Sequence, residues 1–246
     1  MFVPVVRERL HQPLARHLAA SILRGDLRPG TLLPREAALC AEFGVSRTVV
    51  REAVQLLSQC GFLEVRHGTG TVVLSREHWD ILDPLVITVM EETGAIQPVL
   101  EDLLDLRRMF ETEAAALAAR RATPQHLEKL GRIVERMRER LNDPPGYLNL
   151  DVEFHTTLLE ATGNRVLMRL VRRLSGVLHL LMEARYRLVG PSVFASSLED
   201  HAEIFAAVRR RAPEKARVLM RRHLEGAEGS IRQAVLSSLP LQQETA

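Results

Sequence analysis

Asp151 and His155 stand four residues apart in YLNLDVEFHTTLLEATGN, so a helix through this stretch carries a carboxylate and an imidazole on one face. His201 lies in SLEDHAEIFAAV and His223 in ARVLMRRHLEGAEG, each among apolar residues at helical spacing. One carboxylate and three imidazoles projected from neighbouring helices into a bundle core form a donor set for a divalent metal. Nitrogen and oxygen ligands of this kind suit zinc, nickel or manganese better than calcium, with zinc foremost. The same residues admit a plainer account, in which each histidine only packs on its own helix face. Spacing alone leaves both open.

A second group of residues with chemistry to offer sits near the amino end. In SRTVVREAVQLLSQCG, Arg47, Arg51 and Gln55 recur at i+4, with Thr48 beside Arg47. An arginine there can fork two hydrogen bonds to guanine O6 and N7, or clamp a phosphate. An ordinary solvated helix face has the same composition, so the surrounding elements must decide.

Those elements are legible. Residues 13–24 carry Leu14, Leu18, Ile22 and Leu23 at helical spacing, and Pro29-Gly30 marks a turn. A second helix is expected to open near Pro34, with Ala38, Leu39 and Phe43 on its apolar face and Gly44 ending it. Ser46 is placed to cap a third helix, whose Val50, Ala53, Val54 and Leu57 face the core. Two short β-rich runs follow, Phe62–Arg66 and Thr71–Leu74, separated by His67-Gly68-Thr69-Gly70. Helix, helix-turn-helix and hairpin make a winged helix, and in such motifs the amino end of the second helix of the pair enters the major groove. Gly68 and Gly70 let the wing backbone approach a phosphate or the minor groove closely.

Beyond residue 78 only helical patterns survive, near 79–93, 97–121, 124–140, 147–162, 165–188, 192–211 and 213–236. Short connections predict an antiparallel bundle. The fold class is therefore mainly α: a winged helix-turn-helix domain at 1–75 with a small β-hairpin wing, a linker at 76–78, an all-α domain at 79–236, and a flexible tail at 237–246. Charge agrees with the division. Residues 1–75 hold nine Arg, no Lys and six acidic residues, whereas the whole chain is only +2. The basic runs RRIVERMRER and AVRRRAPEKARVLMRRH are read as solvated helix faces. Cys40 and Cys60 lie in apolar helical patterns and are expected to be buried free thiols, which suits a reducing cytoplasm. The opening MFVPVVRERLHQ lacks a secretory apolar core, and no apolar run reaches the roughly 20 residues that span a bilayer. A cytoplasmic protein without membrane attachment is expected.

The segment from Gly25 to Val73 resembles the GntR family of bacterial regulators. The matching elements are G-x-L-x-P-G at Gly25–Gly30, L-P-x-E at Leu33–Glu36, G-V-S-R-T-x-V-R-E-A at Gly44–Ala53, and the G-x-G-T wing. The resemblance implies operator contacts from Arg47, Thr48, Arg51 and Gly68. The position after the L-P-x-E glutamate is often an arginine that touches DNA in the family; here it is Ala37, and Arg35 is the candidate to replace it. The carboxy-terminal part resembles the FCD effector domain of FadR-type members, through Asp105–Glu111, Asp151–His155, Asp200–Phe205 and His223–Leu224. WDILDPLVITVMEETG resembles the extra helix of its seven-helix version. That likeness implies a divalent metal on Asp151, His155, His201 and His223. It also implies a cavity arginine at Arg107 that grips an effector carboxylate; Glu111, one turn on, is placed to orient it.

The function expected is a homodimeric repressor on double-stranded operator DNA, with recognition helices about 34–36 Å apart. A small carboxylate effector bound near the metal would release the DNA. Two alternatives share the same residues: a purely structural metal, or a metallohydrolase fused to a DNA-binding domain. The second lacks a general base at motif spacing, and no enzyme is expected.

Overall fold

The computed structural model describes residues 10–171, 174, 183 and 192–237. The chain divides into two compact units after Ile96.

In the first unit, α1 (His11–Arg24) buries Leu14, Ala15, Leu18, Ala19 and Ile22, a stripe at i, i+4 and i+8. α2 (Glu36–Phe43) and α3 (Arg47–Gln59) follow. Arg35 is still extended (φ −59°, ψ 149°), so α2 opens two residues later than Pro34 suggests. Between α2 and α3 the chain reverses through Gly44 at φ 64°, a left-handed conformation that glycine adopts without a Cβ penalty. Ser46 then caps α3, its hydroxyl accepting from the Val49 N–H at 3.4 Å. Val50, Ala53 and Leu57 of α3 are buried, and α3 packs on α1. Strands β1 (Leu63–Arg66) and β2 (Gly70–Val73) pair antiparallel, with Leu63 opposite Val73 and Arg66 opposite Gly70. Leu32 adds a bridge to Val72.

Two expectations change here. The fourth helix, α4, runs Pro84–Glu92 and does not begin at 79. Proline disfavours the α conformation at the residue before it, and Asp83 is extended (φ −79°, ψ 130°), its side chain capping the Leu85 N–H at 2.8 Å. Trp79, upstream of the helix, instead packs its ring on Phe62 at 4.8 Å. The expected linker at 76–78 is a single 3₁₀ turn, and α4 belongs to the first unit: Val86, Ile87 and Val89 are fully buried, and α4 packs on α1. The compact units divide after Ile96, and α4, its apolar face covered by α1, lies in the first of them. Ala38 is exposed and Cys40 only half-buried, whereas Leu39 and Cys60 are buried; both thiols are free.

The second unit comprises α5 (Gln97–Arg121), α6 (Pro124–Glu139), α7 (Pro144–Ala161), α8 (Ser192–Arg209) and α9 (Pro213–Ser237), with residues 165–171 also helical. Most of the rest of the helix expected at 165–188 lies outside the described residues, as does the tail beyond Ser237. α7 starts three residues before the expected position because Asp143 caps Gly146 and two prolines fill its first turn, where a missing N–H costs no hydrogen bond. Thr123 and His126 form a reciprocal capping box on α6. α5 lies principally on α9 and α7, while α6 packs on α7 and α8. An alanine-rich face of α5 (Ala115, Ala118, Ala119) joins Leu130, Ile133, Phe154, Ile204 and Met220 in the core. Tyr147 stacks on Phe194 at 4.2 Å and donates its hydroxyl to the Phe194 carbonyl at 3.1 Å. No helix of the described residues is long and apolar enough to cross a membrane.

Candidate metal centre and nucleic-acid interface

The core that α5, α7, α8 and α9 share is not wholly apolar. α7 contributes Asp151 and His155, α8 contributes His201, and α9 contributes His223; all four are buried. One ligand atom from each lies within 4.8 Å of all the others. His201 Nε2 is 3.3 Å from His155 Nε2 and 3.4 Å from Asp151 Oδ1. Ligand atoms held tetrahedrally at about 2.1 Å from a small divalent ion stand about 3.4 Å apart. The donor set therefore fits such an ion. The i, i+4 pair of α7 was visible in the sequence, and packing brings the two remaining histidines to it.

Two further carboxylates hold the outer nitrogens of the imidazoles. Glu111 of α5, 2% exposed, contacts His155 Nδ1 through Oε2 and accepts from Arg107 Nε through Oε1 at 2.7 Å. Burial alone would raise the Glu111 carboxyl, but Arg107 and His155 outweigh it and hold the group at about 2. Asp200 Oδ2 lies 3.3 Å from His223 Nδ1, and its Oδ1 accepts from Arg222 at 2.8 Å. The bond to His223 keeps Asp200 below the usual carboxylate range. Burial holds the His223 imidazole below its ordinary value, against the pull of Asp200. A neutral imidazole presents a lone pair on one nitrogen when the other donates its proton, the state a metal ligand requires.

Sequence reasoning paired Glu111 with Arg107 but not with His155, and did not assign Asp200 a role. The second omission had a signal. Adjacent residues on a helix point about 100° apart, so a carboxylate next to the candidate ligand His201 faces away from the cluster and towards a neighbouring helix. Arg107 is 4% exposed, unlike its partly exposed neighbour Arg108. The basic run on α9 is largely engaged: Arg217 pairs with Glu113 at 2.8 Å, and Arg222 with both Asp200 and Glu203.

In the first unit the DNA candidates stand at the surface. Arg47 and Thr48 open α3, Arg51 follows one turn on, and all three are exposed. Arg51 Nε lies 3.8 Å from Glu36 Oε1 at the start of α2. Arg35 is exposed at the amino end of α2, and Ala37 is exposed with it. Gly68 has φ 77° in the hairpin turn, with no atom within 4 Å of where a Cβ would sit, so the tip of the wing is open.

Two family descriptions match the chain: bacterial regulatory proteins of the gntR family over residues 10–73, and the FCD domain over residues 102–226. The galactonate operon transcriptional repressor of Escherichia coli (strain K12) is 27% identical over 82% of this chain and 90% of its own length. The HTH-type transcriptional regulator YieP of the same organism is 32% identical over 70% of this chain and 76% of its own. Among solved structures, that of Lar, which controls the expression of the Listeria monocytogenes agr system, superposes with a TM-score of 0.62 at 18% identity, covering 95% of this chain and 99% of that one. At that identity the likeness concerns the fold.

Proposed function

The chain belongs to the gntR family of bacterial regulatory proteins and carries an FCD domain, a module that binds small-molecule effectors; from that premise we propose a homodimeric repressor that releases its operator when a small organic acid binds beside a divalent metal. Its relatives are transcription regulators, among them repressors, and the hydrolase alternative finds no support in them. Arg47, Thr48 and Arg51 are the residues assigned to the major groove, Gly68 to the phosphates beside the wing, and Arg35 to the contact that Ala37 cannot make. The two free cysteines suit a reducing compartment, and we assign the protein to the cytoplasm.

One observation carries the effector half of the proposal: four buried metal-ligating groups share a bundle core with a buried arginine whose Nε is fixed by Glu111. A bound metal, zinc foremost for this donor set, supplies a positive charge for an anionic oxygen. Arg107 adds a guanidinium suited to the same carboxylate, and the surrounding low dielectric strengthens both attractions. The ligand class selected is a small carboxylate, sugar acids and hydroxy acids included. An effector shifts the protein only by binding its DNA-competent and DNA-incompetent arrangements unequally.

The test uses the full chain loaded with zinc and a DNA site selected by it from a random pool. Sugar acids, lactate-like acids and dicarboxylates are screened by thermal shift, and each binder is then added to the protein–DNA complex while anisotropy is followed. At least one acid that raises the melting temperature should also release the DNA. Acids that bind and leave operator affinity untouched would overturn the effector reading.

A further inference from the structure

Two carboxylates brace the imidazoles, and their settings differ. Asp200 braces His223 near the surface, with a side chain 26% exposed and a partner, Arg222, that is 57% exposed. Glu111 braces His155 in the interior, and its other oxygen holds Arg107, also interior. Its two oxygens therefore reach two groups of different duty, one on α5 and one on α7. We propose that Glu111 is the positioning residue that joins Arg107 to the metal-ligating face of His155, so that cation and metal ligand are set by a single carboxylate.

The chemistry follows from the atoms. A carboxylate at Nδ1 requires the His155 proton to sit there, which turns the Nε2 lone pair towards His201 Nε2, 3.3 Å away. The same carboxylate accepts from Arg107 Nε and fixes the plane of the guanidinium. Glutamine puts an NH2 donor in place of one of the two acceptor oxygens, so it cannot accept at both positions. Metal binding and the placing of Arg107 are then linked, and linkage between binding events is reciprocal. This inference rests on the metal and effector reading above.

The probe is zinc alone, titrated into the full chain against a chromophoric chelator. Wild type should bind zinc, and Glu111→Gln should lower its affinity by about 10–100-fold, the usual cost of losing an outer-shell partner. Arg107→Lys keeps the charge but loses the Nε contact. It should lower zinc affinity about threefold in wild type and leave Glu111→Gln unchanged, a coupling of the size seen between residues in contact. If wild type binds zinc while Glu111→Gln stays within twofold of it, or the two substitutions simply add, this inference falls and the metal reading stands. If wild type binds no zinc, both fall. Should Glu111→Gln fail to fold, long-range ¹H–¹⁵N correlation on the zinc-loaded wild type decides: His155 must carry its proton on Nδ1, and a proton on Nε2 overturns the assignment.

Discussion

The two units handle charge in opposite ways. In the first, the cations Arg47 and Arg51 stand in water, and Arg51 has a long contact with Glu36 at 3.8 Å between two exposed side chains. In the second, Arg107 and Glu111 are almost fully enclosed, and Glu111 is compensated on both oxygens. Under the function proposed above, the difference follows from the partners. DNA brings its own dense charge, so the protein meets it with hydrated side chains that reorient cheaply and gain their energy on contact. A small anion entering a bundle core meets a low dielectric, where an uncompensated charge costs several kcal/mol. Its receptors must be paired before it arrives. Substitutions in the first unit should therefore appear in DNA affinity with stability intact, and substitutions in the second should appear in stability and ligand response together.

The largest effect that would sharpen this contrast is metal removal. At a thousandfold excess over its dissociation constant, a ligand of the folded state stabilises it by about 4 kcal/mol. Chelation should lower the melting temperature in scanning calorimetry, and His201→Ala should melt low with or without zinc while retaining operator binding. A melting temperature indifferent to chelator would dissolve the contrast, since the buried cluster would then be self-sufficient. Next in size is Arg51→Ala, expected to weaken operator binding by about 1–3 kcal/mol if it reads a base. Its melting temperature should hardly move, because the side chain is exposed. Equal losses on operator and random DNA would make Arg51 a phosphate contact.

What sequence could disclose of these two surfaces differed for a physical reason. The winged helix is built from contacts close in sequence: Gly44, Ser46 and the apolar stripe of α3 report on their own turn, so its elements were readable. The candidate metal ligands sit on three helices, and of them only Asp151 and His155 share one. His201 and His223 stood out by their apolar helical settings, but no spacing joined them to that pair, and the Glu111–His155 and Asp200–His223 contacts needed the packing of α5 on α7 and of α8 on α9. The place of α4 in the first unit has a related cause. The apolar face of α4 says that it must be covered, not by what, and it is α1 that covers it. Ala38 failed for lack of context too: α2 is short and buries only Leu39, so an alanine on its expected apolar face remains in water.

Ser46→Ala would break the simple form of the comparison. Its hydroxyl caps α3 at an exposed position, and losing such a cap costs about 1 kcal/mol of stability. A backbone donor left without its partner matters even where charges do not. Because the cap sets the first turn, which carries Arg47 and Thr48, operator affinity should fall with stability. Urea unfolding of the substituted chain checks the first effect, and anisotropy at a temperature where it is fully folded checks the second. Unchanged stability would mean that water caps the turn as well as serine does.

The smallest effect concerns Glu36, the acid in contact with Arg51 among the described residues. An exposed ion pair contributes about 0–1 kcal/mol to folding, and this one is long, so Glu36→Gln should leave the unfolding midpoint where it is. Its influence should appear on DNA. A carboxylate beside a phosphate-facing surface repels the duplex whatever the sequence, and its loss should tighten operator and random DNA alike by about 0.5 kcal/mol, roughly twofold, with the gain shrinking as salt rises. The competing possibility is that Glu36 steers Arg51 into the groove. In that case the substitution would weaken operator binding and spare random DNA, and the exposed unit would contain a positioning carboxylate of its own. Measuring both DNAs at two salt concentrations separates the two, and the second result would place Glu36 alongside Glu111 despite the difference in burial.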